Sequence, residues 1–275
     1  MKLFVIGKPI KHSLSPAIHN FWLKKYKLNN IYEKLELNEH ELEHLIEKLR
    51  NKELVGVNVT IPYKKKMFQL VDKVSKTARI SEAVNTVYIK DKDIIGDNTD
   101  GEGFILSVEK IKDFRFKNQK VLILGAGGAS YGIIAALIKK DIKKIIIANR
   151  TKEKAVTLKS HFKKSNVQID LLKWERIIPP NDTDLIVNTT SHGMKKDEII
   201  ELDISNLNKK CLFVDIIYKP QITETMEFFK KNGFRTLNGL GMLVYQAAIS
   251  FNMWFGITLT KIDIEQALGI CEKEI

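Results

Sequence analysis

The chain has 275 residues, 44% of them apolar, and carries 45 Lys and Arg against 33 Asp and Glu, a formal net charge of +12. The length suits two domains of ordinary size, the apolar share supplies their cores, and no Pro/Ser-rich linker or low-complexity tract interrupts the sequence. The lysines are scattered over segments such as WLKKYKL and FFKKNG, and the KKK run at 64–66 has no aromatic platform or nucleic-acid motif beside it, so the charge does not predict nucleic-acid binding.

In chain order, β-branched apolar runs alternate with helix-period segments. KLFVIG, SPAIHNFWLKKY, IYEKLEL, EHELEHLIEKLR, VGVNVTI and a short KKMFQLV read as repeated β-α-β, which implies a largely parallel sheet covered by helices. AVNTVYIKDKDIIGDN reads as a hairpin about Asp91-Lys92-Asp93, followed by a helix from Asp100 to about Lys112. A second series follows: KVLILG, a helix through IIAALIKK, KKIIIANR, a helix from Thr151, then DLIVNTT and CLFVDII. The last forty residues hold two helices with no strand between them, LGMLVYQAAISFNMWFG being apolar nearly all round, as a buried helix is. The expected fold is therefore two α/β domains: residues 1–101, completed by helices 240–275 packing back on them, and a second domain of residues 102–239.

Cys211 and Cys271 stand far apart without CxxC spacing, which predicts neither a disulfide framework nor a metal site and fits a reducing cytoplasm. The opening MKLFVIGKPIKHS is unlike a signal peptide, and no apolar stretch reaches the ~18 residues of a membrane span.

VLILGAGGAS, Val121 to Ser130, runs from a strand through a glycine-rich turn into a helix, the context of a dinucleotide site. Glycines 125, 127 and 128 would let backbone approach a pyrophosphate at a helix N-terminus, although Ser130 stands where GxGxxG has its third glycine. The next strand ends in Asn149-Arg150-Thr151, with Lys154 a turn later, and not in the acid that would meet an unmodified ribose 2′-hydroxyl. A guanidinium there suits a 2′-phosphate and points to NADP. Thr151 is expected to cap the following helix.

A second group of polar residues lies outside that unit: Ser13 and Ser15 in HSLSP, Asn58, Thr60 and Lys64 in NVTIPYK, Asn85 in AVNT, Asp100 in DNTDGEG, and Gln246 in MLVYQAA. Each has a structural alternative, such as Ser15 as an N-cap before Pro16 or Thr99-Asp100-Gly101-Glu102 as a capping box. Ligands of an open parallel sheet nevertheless settle beyond the carboxyl ends of its strands, where Ser13 and Lys64 fall. A carboxamide in so apolar a helix as that of Gln246 costs about 1–3 kcal/mol without a partner. Asn58 and Thr60 share a face and are expected to look into a pocket. Hydroxyls and amides with one ammonium and one carboxylate suit a small polyhydroxylated acid.

These stretches, in this order, resemble the shikimate dehydrogenase family: GKPIKHSLSPAIHN, NVTIPYK, AVNTV, GDNTDGEG, GAGGAS, NRT, NTTSHGM, DIIYKP and GLGMLVYQAAISF. The resemblance implies an N-terminal substrate domain completed by the C-terminal helices, an NADP-binding Rossmann domain, and reduction of 3-dehydroshikimate to shikimate. The nearest alternative is a quinate/shikimate dehydrogenase of broader substrate and cofactor use. Carried onto this chain, the resemblance makes Lys64 and Asp100 the catalytic pair. Ser13 and Ser15, with Tyr218, would hold the substrate carboxylate, while Thr60, Asn85, Asp100 and Gln246 would bind ring hydroxyls. Gly125, Ala126, Gly127, Gly128 and Ala129 would hold the pyrophosphate; Asn149, Arg150, Thr151 and Lys154 the adenosine phosphate; Ile216, Gly239 and Met242 the nicotinamide side. Two positions depart from the pattern: Glu82 replaces a frequent glycine, and Lys76 replaces a common acid near the cofactor. No metal is expected, and the expected partner is a small-molecule substrate, with no nucleic acid and no membrane, the chain acting as a monomer or homodimer.

Overall fold

The computed structural model describes residues 1–275, which divide into two compact units: residues 1–103 with 243–274, and residues 104–242. The first unit holds β1 (Lys2–Ile6), α1 (Ser15–Lys25), β2 (Ile31–Leu35), α2 (Leu42–Arg50), β3 (Leu54–Val59), α3 (Lys64–Leu70), β4 (Lys73–Val74), α4 (Lys76–Ser81), β5 (Thr86–Lys90) and β6 (Asp93–Asp97). Its sheet runs β2-β1-β3-β5-β6-β4. The hairpin β5–β6 pairs antiparallel, and β5 is antiparallel to β3. Because β4 is parallel to β6 and β1 is parallel to both β2 and β3, every strand but β5 ends at the same edge of the sheet.

Amphipathic spacing explains how the helices seat. In α2, Leu42, Leu45, Ile46 and Leu49 recur at helical spacing and are all buried, and they join Ile6, Val57, Val59, Met67 and Val87 in one cluster beneath the sheet. On the other side His19 and Trp22 of α1 pack with Tyr32, Phe251 and Trp254. The last two belong to α9 (Leu240–Phe255), which precedes α10 (Lys261–Glu274). The strand residue Gly56 leaves room for the Trp254 indole, whose Nε1 donates to the Val87 carbonyl at 3.0 Å. The C-terminal helices thus pack onto the first unit. They are further tied by Asp263, which accepts from the Tyr26 hydroxyl and from Thr260, and pairs with Lys25.

The second unit is a parallel sheet of β7 (Lys120–Leu124), β8 (Lys144–Ala148), β9 (Gln168–Leu172), β10 (Leu185–Asn188), β11 (Leu212–Asp215) and β12 (Arg235–Leu237), in the order β12-β11-β10-β7-β8-β9. Counted within the unit this is 6-5-4-1-2-3, the doubly wound dinucleotide arrangement. β7, β10 and β11 are buried along nearly their whole length, as strands covered on both faces must be. The crossovers are α6 (Gly128–Ile138), α7 (Lys152–His161) and α8 (Glu224–Lys231). α5 (Asp100–Val108) and α9 each run across the division between the units, and α5 stops a turn short of the helix expected to Lys112. Four elements, β4, α4, β9 and β12, have no counterpart among the elements expected from the sequence.

Candidate active site

In the first unit the sheet edge formed by the strand ends gathers the polar residues. β3 ends at Val59; Thr60 follows with its amide donating to the Ile6 carbonyl, and the turn through a cis Ile61–Pro62 bond delivers Lys64 as the first residue of α3. β6 ends at Asp97, and Asp100 opens α5. Lys64 Nζ lies 2.6 Å from Asp100 Oδ2, with the two side chains 20% and 10% exposed, so the pair is shielded yet reachable. The other carboxylate oxygen, Oδ1, accepts from Asn85 Nδ2 at 2.8 Å. Gln246 of α9 places Oε1 3.4 Å from both Asn85 Nδ2 and Thr99 Oγ1, and its own Nε2 donates to the Leu243 carbonyl, so the carboxamide has the partners its apolar helix requires. Ser13 and Ser15 stand at the start of α1, the Ser13 hydroxyl accepting from the Ser15 amide at 3.3 Å.

Several sequence expectations change here. Asn58 does not look into a pocket. It is 5% exposed and fully engaged: Oδ1 accepts from the Tyr32 hydroxyl at 2.7 Å, and Nδ2 faces the Asn85 carbonyl, Thr86 Oγ1 and Ser250 Oγ, each at 3.1 Å. Strand alternation puts Asn58 and Thr60 on one face, but the aromatic cluster under α9 covers the first and leaves the second at the edge. The capping box expected at Thr99 is replaced by a different start, in which Asn98 Oδ1 accepts from the Asp100 amide. Thr99 meanwhile turns its hydroxyl to Asn85. Ser15 is the first helical residue, not the N-cap. The buried hydroxyls of Tyr32, Thr86 and Ser250 were not singled out in the sequence, and Thr99 was expected only as a helix cap. Ser250 is one helical turn after Gln246, and that spacing is the only signal that marks it.

In the second unit, β7 runs into Gly125, whose φ of +109° and closeness to Thr189 and Thr190 demand glycine. Gly127 and Gly128 differ. Both are exposed, and a Cβ on either would meet no protein atom within 4 Å. Nothing in the protein's own packing requires them to lack side chains, whereas a pyrophosphate resting on the α6 N-terminus would. This cradle fits the phosphates of a dinucleotide. Ser130, in place of the third glycine, is fully buried and bonds the Gly125 carbonyl and Thr189 Oγ1, pinning helix to loop. Asn149 Oδ1 accepts from the Ala126 amide at 3.0 Å, so this side chain shapes the glycine loop. Arg150, Thr151 and Lys154 are exposed beyond β8, and Thr151 occupies the N-cap position of α7 without a side-chain capping bond. After β11, buried Asp215 accepts from Asn188 Nδ2, the Ile217 amide and the Thr223 hydroxyl; burial pushes its carboxyl upward against those bonds. It holds the loop in which Ile216 lies against Gly239, where any side chain at 239 would strike the Ile216 carbonyl. Tyr218 is half-buried in the same loop, and Met242 is half-buried in α9.

Three family models match the chain. A "Shikimate dehydrogenase substrate binding domain" covers residues 5–87, a "Shikimate / quinate 5-dehydrogenase" domain covers 106–241, and a "Shikimate 5'-dehydrogenase C-terminal domain" covers 239–259. The shikimate dehydrogenase (NADP(+)) of Pelagibacter ubique is 47% identical over 92% of each chain. The crystal structure of shikimate dehydrogenase from Aquifex aeolicus superposes with a TM-score of 0.86 at 34% identity, covering 98% of this chain and 97% of that one. That of 5-ketofructose reductase from Gluconobacter sp. strain CHM43 gives 0.90 at 29% identity, over 98% of both. The chain belongs to the shikimate dehydrogenase family.

Family membership makes one departure intelligible. Glu82, where the resemblance led to an expected glycine, ends α4 in the left-handed region with φ of +48°. Glycine adopts that conformation freely, and a side chain there carries a backbone penalty of about 1 kcal/mol.

Proposed function

We infer that this chain is an NADP-dependent shikimate dehydrogenase, reducing 3-dehydroshikimate reversibly to shikimate. The observation that carries the reading is the shielded Lys64–Asp100 pair at 2.6 Å, set at the strand-end edge among hydroxyls and carboxamides. When bound, NADPH supplies the hydride that reaches the C3 carbonyl carbon. Negative charge then develops on the carbonyl oxygen, where the Lys64 ammonium stabilises it and gives up a proton; in the oxidative direction neutral Lys64 takes that proton back. Asp100, held on one oxygen by Asn85 and on the other by Lys64, orients the amine and accepts from a substrate hydroxyl. Ser13, Ser15 and Tyr218 are proposed for the substrate carboxylate, and Thr60, Asn85 and Gln246 for ring hydroxyls. Gly125 to Ala129 would hold the pyrophosphate, Asn149, Arg150, Thr151 and Lys154 the adenosine phosphate, and Ile216, Gly239 and Met242 the nicotinamide.

Arg150 beyond β8, with no acid at that strand's end, supports NADP over NAD. We further propose a cytoplasmic enzyme, monomeric or homodimeric, that acts on a small molecule. No helix is long and apolar enough to cross a membrane, and Cys211 and Cys271 are buried and unpaired, which suits a reducing compartment. The test is a four-way assay: shikimate or quinate, each with NADP or NAD, followed by the absorbance of the reduced cofactor. Turnover of shikimate with NADP far above the other three pairs is expected. Equal use of quinate establishes the broader quinate/shikimate enzyme, and no turnover in any arm refutes both readings.

A further inference from the structure

Asn85 can serve Asp100 only in one of its two amide orientations, and the surrounding atoms decide which. The Thr99 amide, a donor only, lies 2.9 Å from one end of the carboxamide, so that end is Oδ1 and the opposite end, 2.8 Å from Asp100 Oδ1, is Nδ2. The same logic fixes Asn58: its Nδ2 faces the Asn85 main-chain carbonyl, an acceptor only, while its Oδ1 takes the Tyr32 hydroxyl proton. The Thr86 hydroxyl sits between these two amides. It lies 3.1 Å from Asn58 Nδ2, a donor, and 3.0 Å from Asn85 Oδ1, an acceptor. Asn85 Oδ1 can only accept, so the single Thr86 proton goes there; Thr86 in turn accepts from Asn58 and from the Ser250 hydroxyl at 2.7 Å, which then turns its proton away from the Gln246 carbonyl 3.0 Å from it. Donors then point one way, from Tyr32 through Asn58 and Thr86 to Asn85 and on to Asp100.

We propose that Thr86 is a positioning residue of the reaction: its hydroxyl holds Asn85 so that Nδ2 stays on Asp100 Oδ1 and leaves Asp100 Oδ2 to Lys64. This rests on the reading of Lys64 and Asp100 given above. Thr86 is fully buried and acts only through Asn85. Removing its hydroxyl takes one of two close donors from Asn85 Oδ1 and leaves the Thr99 amide to hold that end, so the carboxamide is less tightly fixed, while Asn58 Nδ2 keeps the Asn85 carbonyl and Ser250 Oγ.

The test is a double-mutant cycle on kcat/KM for shikimate with NADP, using Thr86→Val, Asn85→Ala and the pair, with thermal melting of each protein to set the assay temperature below its transition. Thr86→Val should lower kcat/KM about 10-fold, the worth of one buried hydrogen bond. Thr86→Ser, which keeps the hydroxyl, should stay within about 2-fold, and adding Thr86→Val to Asn85→Ala should change the value by less than about 2-fold. Equal losses in both backgrounds, or a Thr86→Val enzyme as active as the parent, overturn the proposal. If Thr86→Val does not fold, Thr86→Ala takes its place in the same cycle with the same outcomes. Lys64→Ala is run beside them: full activity in that variant refutes the catalytic reading itself, whereas an inactive Lys64→Ala beside a normal Thr86→Val refutes only the role of Thr86.

Discussion

Replacing His19 by leucine should flatten the acid side of the stability curve. His19 is 1% exposed, stacked on Tyr32 at a centroid distance of 4.3 Å, with Trp22, Trp254 and Phe251 around it, and neither ring nitrogen reaches a partner with hydrogen-bond geometry. Burial pushes its pKa from 6.5 down to about 3, against a smaller opposing effect of the Asn58 amide. The unfolded chain therefore takes up a proton near 6.5 that the folded protein refuses until about 3. The stabilisation is complete above the unfolded value and is lost as pH falls through that window, at up to about 1.4 kcal/mol per pH unit. Between about pH 7.5 and pH 5 the loss amounts to about 2 kcal/mol. Urea unfolding of both proteins across that range, followed by tryptophan fluorescence, measures it as the difference between two curves, so effects of other titrating groups and of altered packing at position 19 cancel. Parallel curves for parent and variant would refute the burial of a neutral imidazole.

Lys64→Ala should lower turnover about 10²–10⁴-fold while calorimetry still detects shikimate binding, because charge stabilisation and proton transfer are lost but the hydroxyls and amides remain. Gly127→Ala should leave the melting temperature unchanged, since its φ of −91° and open surroundings accept a methyl group, yet weaken NADP binding at least about 10-fold in a direct titration. Gly125→Ala should destabilise the protein before any cofactor is added, by about 2 kcal/mol or more, through its positive φ and a Cβ 2.7 Å from Thr189 Oγ1. Glu82→Gly should raise the melting temperature by about 2–4 °C, checked by calorimetry, because it removes a left-handed side-chain residue.

Sequence periodicity revealed the two α/β units because long apolar runs and helical spacing are local properties. The hairpin about Asp91 was equally legible, its turn residue lying at φ of +58°. Very short elements were not: α4 is only six residues, and its capping serine, whose side chain accepts from the Ala78 amide, sits in a polar stretch with no period to detect. Within the site, the chemistry of Lys64, Asp100, Asn85 and Gln246 stood out because such groups are costly where the pattern puts them. Depth did not. Alternation tells which face Asn58 shares with Thr60, but only the helix returning from residue 243 onward decides that one is sealed and the other is not. The partners of a buried amide come from segments far apart in sequence, as Tyr32, Thr86 and Ser250 do for Asn58. No local pattern announces them.

The first unit is assembled from both ends of the chain, with residues 104–242 inserted between. A ribosome adding about 5–20 residues per second therefore exposes the sheet, its Gly56 notch and the Asn58 amide for several seconds before Trp254 and Ser250 are made. During translation the inserted unit is available to fold first, although it starts later. The half that carries the lysine and aspartate remains an incomplete shell until nearly the last codon, so a nascent chain released early, lacking α9, would present an open aromatic face to chaperones and proteases.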